Sequence, residues 1–417
     1  MVEIRRTEMS MEGRKILILG AGIYQVPLIR RAKEQGLKTL VSSIPGDYPG
    51  FSLAGRVYYA DTTDRKAILE IAEKENIDGI CTAGTDVAIA SVGYVNDSMG
   101  LPGVSAAAAA RTADKSVMKE AFASAGVDSA TSIKAASVEE AMKAAEVTGF
   151  PLVVKCVDSS GSRGVNVVDS AEDLEEAFKD SLSFSRKPYV ILEDKLPGYE
   201  IGIDGLVSGG KLLFLAPHRK SIYRKGDVVI TAGHDFPFEG NDSLLSEIRR
   251  QTELAVKALG LDNCPVNLDA FVDGDRCHII EIGARSGATC IPELIEKCYG
   301  FNYYDEIIKL SLGEAVDCNR TKSTPCRARL IMSPVDGRIT SIDDKGLESI
   351  REEGPHISLD YEEGTEINEM GNGTDRLGQV IAEAGDEAQM RKIMDRVYRC
   401  IFVNGATLDE HWNNTGF

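Results

Sequence analysis

No two of the nine cysteines form a CxxC pair, and the five histidines are scattered without a cluster. Zinc-ribbon and zinc-finger sites are therefore excluded, and the thiols read as reduced core residues of a cytoplasmic protein. No apolar run approaches the roughly 20 residues of a membrane span, and the polar stretch Met1 to Glu12 lacks the apolar core of a signal peptide. Basic charge is in deficit: 47 Lys and Arg face 65 Asp and Glu, for a net charge of −18. That balance excludes a nucleic-acid surface, which needs basic patches. The P-loop pattern GxxxxGK[ST] is missing as well. A dinucleotide fingerprint is begun at Gly20-Ala-Gly22 but not completed, because Gln25 stands where the third glycine belongs. The second strand ends in Ser42-Ser43, where NAD binding wants an acid, so the glycines are expected to admit a small substrate rather than NAD.

What is present is an α/β chain of 417 residues, long enough for two or three domains. Lys15 to Gly20 reads as a buried parallel strand, followed by a helix over Gln25 to Gly36 and strands at Lys38 to Ser42, Arg56 to Tyr59 and Gly79 to Ala83. Helices over Asp64 to Glu75, Thr112 to Ala125 and Ser137 to Thr148 complete a βαβ pattern that gives way to a compact insert near Phe150. A hairpin is expected from Glu200 to Val207 and Lys211 to Ala216, and a long amphipathic helix over Leu244 to Leu259. Ala106 to Ala110 reads as a low-complexity tract. His218 and His234 flank Arg219, Lys220, Arg224 and Lys225, a basic stretch that reads either as an exposed loop or as a contact for an acidic substrate. Beyond Ala315 come strands and one strong helix, Glu387 to Phe402, as in a small α+β domain.

The chemistry concentrates in one hairpin. Val266 to Asp273 and His278 to Arg285 alternate as paired strands joined by the hairpin Asp273-Gly-Asp-Arg276, and Asp269 and Glu281, six residues either side of its centre at Asp275, are expected to lie almost opposite each other. Two carboxylates that close repel unless a cation lies between them, and hard oxygen ligands suit Mg²⁺ together with substrate phosphates. Arg285, four residues on, can reach an anion bound there. Upstream, Lys155 ends a strand beside Ser159-Ser160-Gly161-Ser162-Arg163-Gly164, a loop whose small residues can fold over phosphates.

In order, the chain carries Asp114-Lys115, Pro151-Leu-Val-Val-Lys155 with the Gly loop, Leu192 to Glu200, then Asp269, Glu281 and Arg285. This order resembles the ATP-grasp superfamily, in particular the carboxylate–amine ligases akin to biotin carboxylase, carbamoyl-phosphate synthetase and the amino-acid ligases. The resemblance spans the chain. It implies an N-terminal βαβ (preATP-grasp) domain over 1–112, an ATP-grasp domain over 113–314 with a mobile lid at about 150–193, and an α+β C-terminal domain over 315–417. It further implies ATP with Mg²⁺, or Mn²⁺ in its place. Lys115 and Lys155 are implied as phosphate lysines, and Ser160, Gly161, Ser162 and Gly164 as the phosphate lid. Glu193, Asp194, Lys195 and Leu196 are implied as the adenine hinge, and Glu200 as the ribose acceptor. Asp269 and Glu281 are implied as metal ligands and Arg285 as the residue that steadies an acyl phosphate. Many relatives place Asn two residues after the second metal acid, whereas this chain has Gly283. The implied reaction activates a carboxylic acid as an acyl phosphate and forms an amide with an amine, an amino acid being one such amine, with release of ADP and phosphate. A bicarbonate-using carboxylase and a non-catalytic nucleotide binder are the alternatives. The partners implied are small-molecule acids and amines, with a homodimer as the compatible assembly and no nucleic acid or membrane.

Overall fold

The computed structural model describes residues 11–159, 163–226, 228–373 and 375–415. They divide into two compact units, one of Met1–Leu215, Gly240–Ala288 and Tyr304–Cys318, the other of Ala216–Glu239, Thr289–Tyr303 and Asn319–Phe417.

The first unit opens with a parallel sheet whose strands lie in the order Arg56–Tyr59, Lys38–Ser43, Lys15–Leu19, Gly79–Cys81. Ile16, Leu17, Ile18 and Leu19 are all fully buried, which is why this strand is apolar throughout instead of alternating. The helix Arg65–Glu75 starts at Asp64, whose carboxylate accepts the N–H groups of Lys66 and Ala67. The helix Lys115–Ala125 is capped in the same way by Asp114, through Ser116 and Val117, and ends at Gly126 in a left-handed conformation.

A second sheet, antiparallel in the pairings described, runs Ser132–Ala135, Val190–Asp194, Leu152–Cys156, Val165–Val168. The helices Val138–Thr148 and Leu174–Ser183 supply Ala141, Ala144, Leu174 and Phe178 to a core with Leu152, Val154, Val190 and Leu192. Each large side chain in it contributes about 1.5–3 kcal/mol of burial. A third set of antiparallel strands, Arg276–Gly283, Cys264–Asp273 and Tyr199–Ser208, carries the acidic hairpin. The helix Asp242–Leu259 belongs to the same unit, capped by Asn241 and closed by Gly260.

The second unit holds the strands Val228–Phe236, Cys326–Ile331, Gly378–Glu383 and His356–Leu359 in that order. A small antiparallel sheet made of Glu366–Ile367, Gly337–Ile342, Ile401–Val403 and Ala406–Thr407 accompanies them. Leu347 and Ile350 from the helix Asp344–Glu352, and Met390, Met394 and Val397 from Glu387–Arg399, close one core over Ile339, Val380 and Val403. No helix among the described residues is long and apolar enough to cross a membrane.

The low-complexity tract Ala106 to Ala110 belongs to a helix, Ala106–Thr112, begun by the Ser105 hydroxyl that accepts the Ala108 N–H. One reading of the sequence changes: the basic stretch after His218 is no loop, for the strand Lys211–Lys225 continues through it and pairs with Val228–Phe236. Within it Arg219 stands in register with Asp235, and Lys225 forms an ion pair with Glu369.

Candidate active site

The strands Cys264–Asp273 and Arg276–Gly283 are joined by the two-residue turn Gly274-Asp275, with Gly274 at φ 57°. Counting back regularly from Asp273 opposite Arg276, Asp269 would face Ile280, and Glu281 would fall on the other surface. The structure instead skips Ile280: Ala270 pairs with Ile279 and Asp269 with Glu281. A β-bulge thus brings the two carboxylates opposite each other, and bulges re-aim side chains in this way beside functional sites. On its other edge Asp269 pairs with Gly202, so no side chain crowds it from that strand.

The helix Lys115–Ala125 delivers a cation to this pair. Lys115 Nζ lies 3.1 Å from Glu281 Oε2 and donates to the Ser159 carbonyl at 2.7 Å. Its burial disfavours the charge, but Glu281 outweighs that and raises the lysine's pKa above its usual value. Lys115, Ser159, Asp269, Glu281 and Arg285 line one cavity of about 570 Å³, together with Asp86 and Asn267. Its volume suits a small-molecule site.

Arg285 follows the bulged strand. Its Nε and Nη2 grip Asp86 Oδ1 and Oδ2, each at 2.8 Å, and its Nη1 donates to Asn267 Oδ1 at 2.6 Å and to the Ser286 carbonyl at 3.2 Å. Burial opposes ionisation of Asp86, yet the Arg285 charge prevails and holds the carboxyl below its usual range. Behind them the fully buried Asp204 accepts from Asn267 at 2.8 Å and from the Gly287 N–H at 2.7 Å. Asp86, Asn267 and Asp204 were not singled out from the sequence. The one available signal for Asp86 was its place just past the carboxyl end of the strand Gly79–Cys81, where open α/β sheets bind ligands.

Lys155 and Glu193 sit on the adjacent strands of the second sheet. Glu193, 2% exposed, is held by Lys155 at 2.6 Å and by Lys119 at 3.3 Å. Its carboxylate is thus committed to lysines, and only its backbone is available to an adenine edge. Burial pushes Glu193 up and the two ammoniums pull it further down, so it stays ionised; burial prevails for Lys119 and lowers its pKa. Lys119 lies one helical turn beyond Lys115, a spacing that places both on one face and could have revealed it. Asp194 ends its strand, and Lys195 and Leu196 continue out of the sheet, Lys195 exposed. Glu200 lies half-buried on the strand Tyr199–Ser208, opposite Phe271. Gly164 lies in the turn just before the return strand, at φ 66°, its carbonyl accepting from the Cys156 N–H. Ser160, Gly161 and Ser162 lie outside the described residues.

Two other features stand apart from the cavity wall. At Gly20-Ala-Gly22 the Gln25 side chain accepts the Gly22 N–H at 3.0 Å and donates to the Ala83 carbonyl at 2.6 Å. The Gln25 side chain thus takes up the Gly22 N–H and ties the turn to the strand end at Ala83. In the second unit His218 and His234 are buried against each other, Nδ1 to Nδ1 at 3.1 Å, with His218 stacked on Phe236. One ring nitrogen must donate and the other accept, and burial keeps His234 neutral by lowering its pKa well below the usual value.

An ATP-grasp domain model matches residues 148–293. Over 284 residues the chain is 26% identical to the formate-dependent phosphoribosylglycinamide formyltransferase of Wolinella succinogenes, covering 67% of this chain and 72% of that protein. The structure superposes on phosphoribosylglycinamide synthetase from Anaerococcus prevotii with a TM-score of 0.78 at 28% identity, covering 94% of this chain and 99% of the other. It matches the L-amino acid ligase from Bacillus licheniformis with a TM-score of 0.78 at 18% identity, over 94% and 98% of the two chains, a likeness of fold.

Proposed function

The chain belongs to the ATP-grasp superfamily, and from that premise we propose that it is an ATP-dependent carboxylate–amine ligase. It phosphorylates a carboxylic acid to an acyl phosphate, which an amine then attacks to give an amide, ADP and phosphate. The observation that carries this reading is the Asp269–Glu281 pair, brought into register by a bulge beside Lys115 in a cavity of about 570 Å³.

The donor chemistry fits Mg²⁺. Two cross-strand carboxylates facing a cavity are the oxygen set that Mg²⁺ takes from protein, with water and phosphates completing it. No group of three or more His, Cys, Asp or Glu gathers among the described residues, so Asp269 and Glu281 would hold the ion by themselves. Bound there, Mg²⁺, or Mn²⁺ on the same oxygens, supplies neutralisation of phosphoryl charge. Lys115, between Glu281 and the Ser159 carbonyl, offers an ammonium to phosphate oxygens entering the cavity. Lys155, held by Glu193 on the neighbouring sheet, is the second lysine proposed for the nucleotide's phosphates. Phosphoryl transfer needs positioning and electrostatics more than covalent help from the protein, which these groups supply. Arg285 orients the acid substrate beside them.

A phosphate-release screen with MgATP, crossing carboxylic acids (bicarbonate included) with amines, tests the assignment. Phosphate release that requires one acid and one amine together is the expected result. Release with bicarbonate alone would shift the reading to a carboxylase, and nucleotide binding without turnover in any combination would end it.

A further inference from the structure

The glycine at 283 carries no backbone demand: it lies in the strand Arg276–Gly283, outside the positive-φ glycines. What it provides is space. A Cβ at this position would come within 2.8 Å of Asp86 Oδ1, closer than side-chain contacts allow. The absent side chain therefore admits the carboxylate of Asp86, which arrives from the loop between the strand Gly79–Cys81 and the helix Ile89–Met99. Once admitted, that carboxylate fills the Nε/Nη2 edge of Arg285, the edge that fits a planar carboxylate side-on. With Asn267 and Ser286 on Nη1, four of the guanidinium's five N–H groups are engaged by the protein.

We infer that Asp86 is a specificity-determining residue: an internal carboxylate, made room for by Gly283, that occupies the fork of Arg285 and screens it against small free anions. An acid substrate must bring enough binding energy from the rest of its body to share or displace Asp86. Bicarbonate and inorganic phosphate, which have no such body, are disfavoured. The inference rests on the ligase reading for the meaning of the fork, but not for its test.

The test is calorimetric titration of inorganic phosphate into the full-length protein, with and without MgADP. Asp86→Ala should tighten phosphate binding roughly tenfold, the scale of one charge-assisted hydrogen bond. Gly283→Asn, which forces Asp86 off the fork, should do the same. The double variant should gain nothing further, because both changes act on one contact. In an Arg285→Ala background the gain from Asp86→Ala should vanish. Unchanged or weaker phosphate binding in folded Asp86→Ala overturns the inference, as does a gain that persists without Arg285, which would mark a mere loss of negative charge. Should Gly283→Asn fail to fold, Gly283→Ala carries the same steric argument with a smaller side chain. Failure of the wild type to bind MgADP would count against the ligase reading instead, leaving the phosphate comparison intact.

Discussion

At the scale of single residues, the site consists of charges balanced in pairs. Glu281 is matched by Lys115, Asp86 by Arg285, and Glu193 by Lys119 and Lys155. These pairs differ in what their loss should do. The Glu281 side chain is 36% exposed, so Glu281→Gln should leave the fold intact. It should nonetheless lower ATP turnover by about 10²-fold or more and weaken Mn²⁺ binding measured by electron paramagnetic resonance, since charge stabilisation is the main catalytic device available. Turnover like the wild type in that variant would remove Glu281 from the metal site. Glu193 is the opposite case, a carboxylate sealed from water. Lys119→Met should cost about 2–3 kcal/mol in urea unfolding, below the loss of a whole buried pair because Lys155 remains. Adding Glu193→Gln should recover most of it, and additive losses in the double variant would show that the two do not act as a pair.

At the scale of elements, much of this was legible. The strand Lys15–Leu19 and the helices Val138–Thr148 and Asp242–Leu259 fall where periodicity put them, to within a residue or two, because their apolar faces are buried in the core. The facing of Asp269 and Glu281 was expected from a turn centred on Asp275. The turn is centred between Gly274 and Asp275, and the bulge at Ile280 makes up the difference, a feature with no mark in composition. The strand through Arg219 to Lys225 was hidden because its pairing partner Val228–Phe236 and the Glu369 that holds Lys225 lie outside the local pattern of charges. The helix Arg65–Glu75 ends in another long-range link. Glu75 accepts from Tyr58 and Arg56 on the edge strand and from Lys15 on the central one. Tyr58 first, then Arg56, lower its pKa from 4.5 to about 2. A depressed carboxylate contributes stability that is fully present above its unfolded pKa and is lost as pH falls through the folded one. Denaturant midpoints should therefore drop between about pH 4.5 and pH 2, and Glu75→Gln should be less stable at pH 7 with a shallower drop across that window. A parallel pH profile in the variant would show that Glu75 is not the titrating group.

At the scale of the whole molecule, the sequence divides its information unevenly. The net charge of −18 and the scattered cysteines exclude functions but locate nothing. Lys115, Asp269, Glu281 and Arg285 lie far apart in the chain, and their order alone brought them together on paper. Asp86 and Asn267, which share their cavity, carry no motif and become visible only when strands from separate segments are assembled. All of these residues belong to the first compact unit, while the second has its own core around Leu347, Met390 and Val397. Ligand protection should follow that division. A ligand that binds only the folded form stabilises it by about 2.7 kcal/mol at 100 times its dissociation constant. Hydrogen exchange with a non-hydrolysable MgATP analogue at such an excess should slow at Lys115–Met118, Asn267–Asp269 and Glu281–Arg285. The helices Asp344–Glu352 and Glu387–Arg399 should exchange as before, and a chelator should reverse much of the protection at the acid hairpin by removing the charge that bridges it to phosphate. Protection confined to those two helices would place the nucleotide outside the cavity described, and with it the ligase chemistry assigned to Asp269, Glu281 and Lys115.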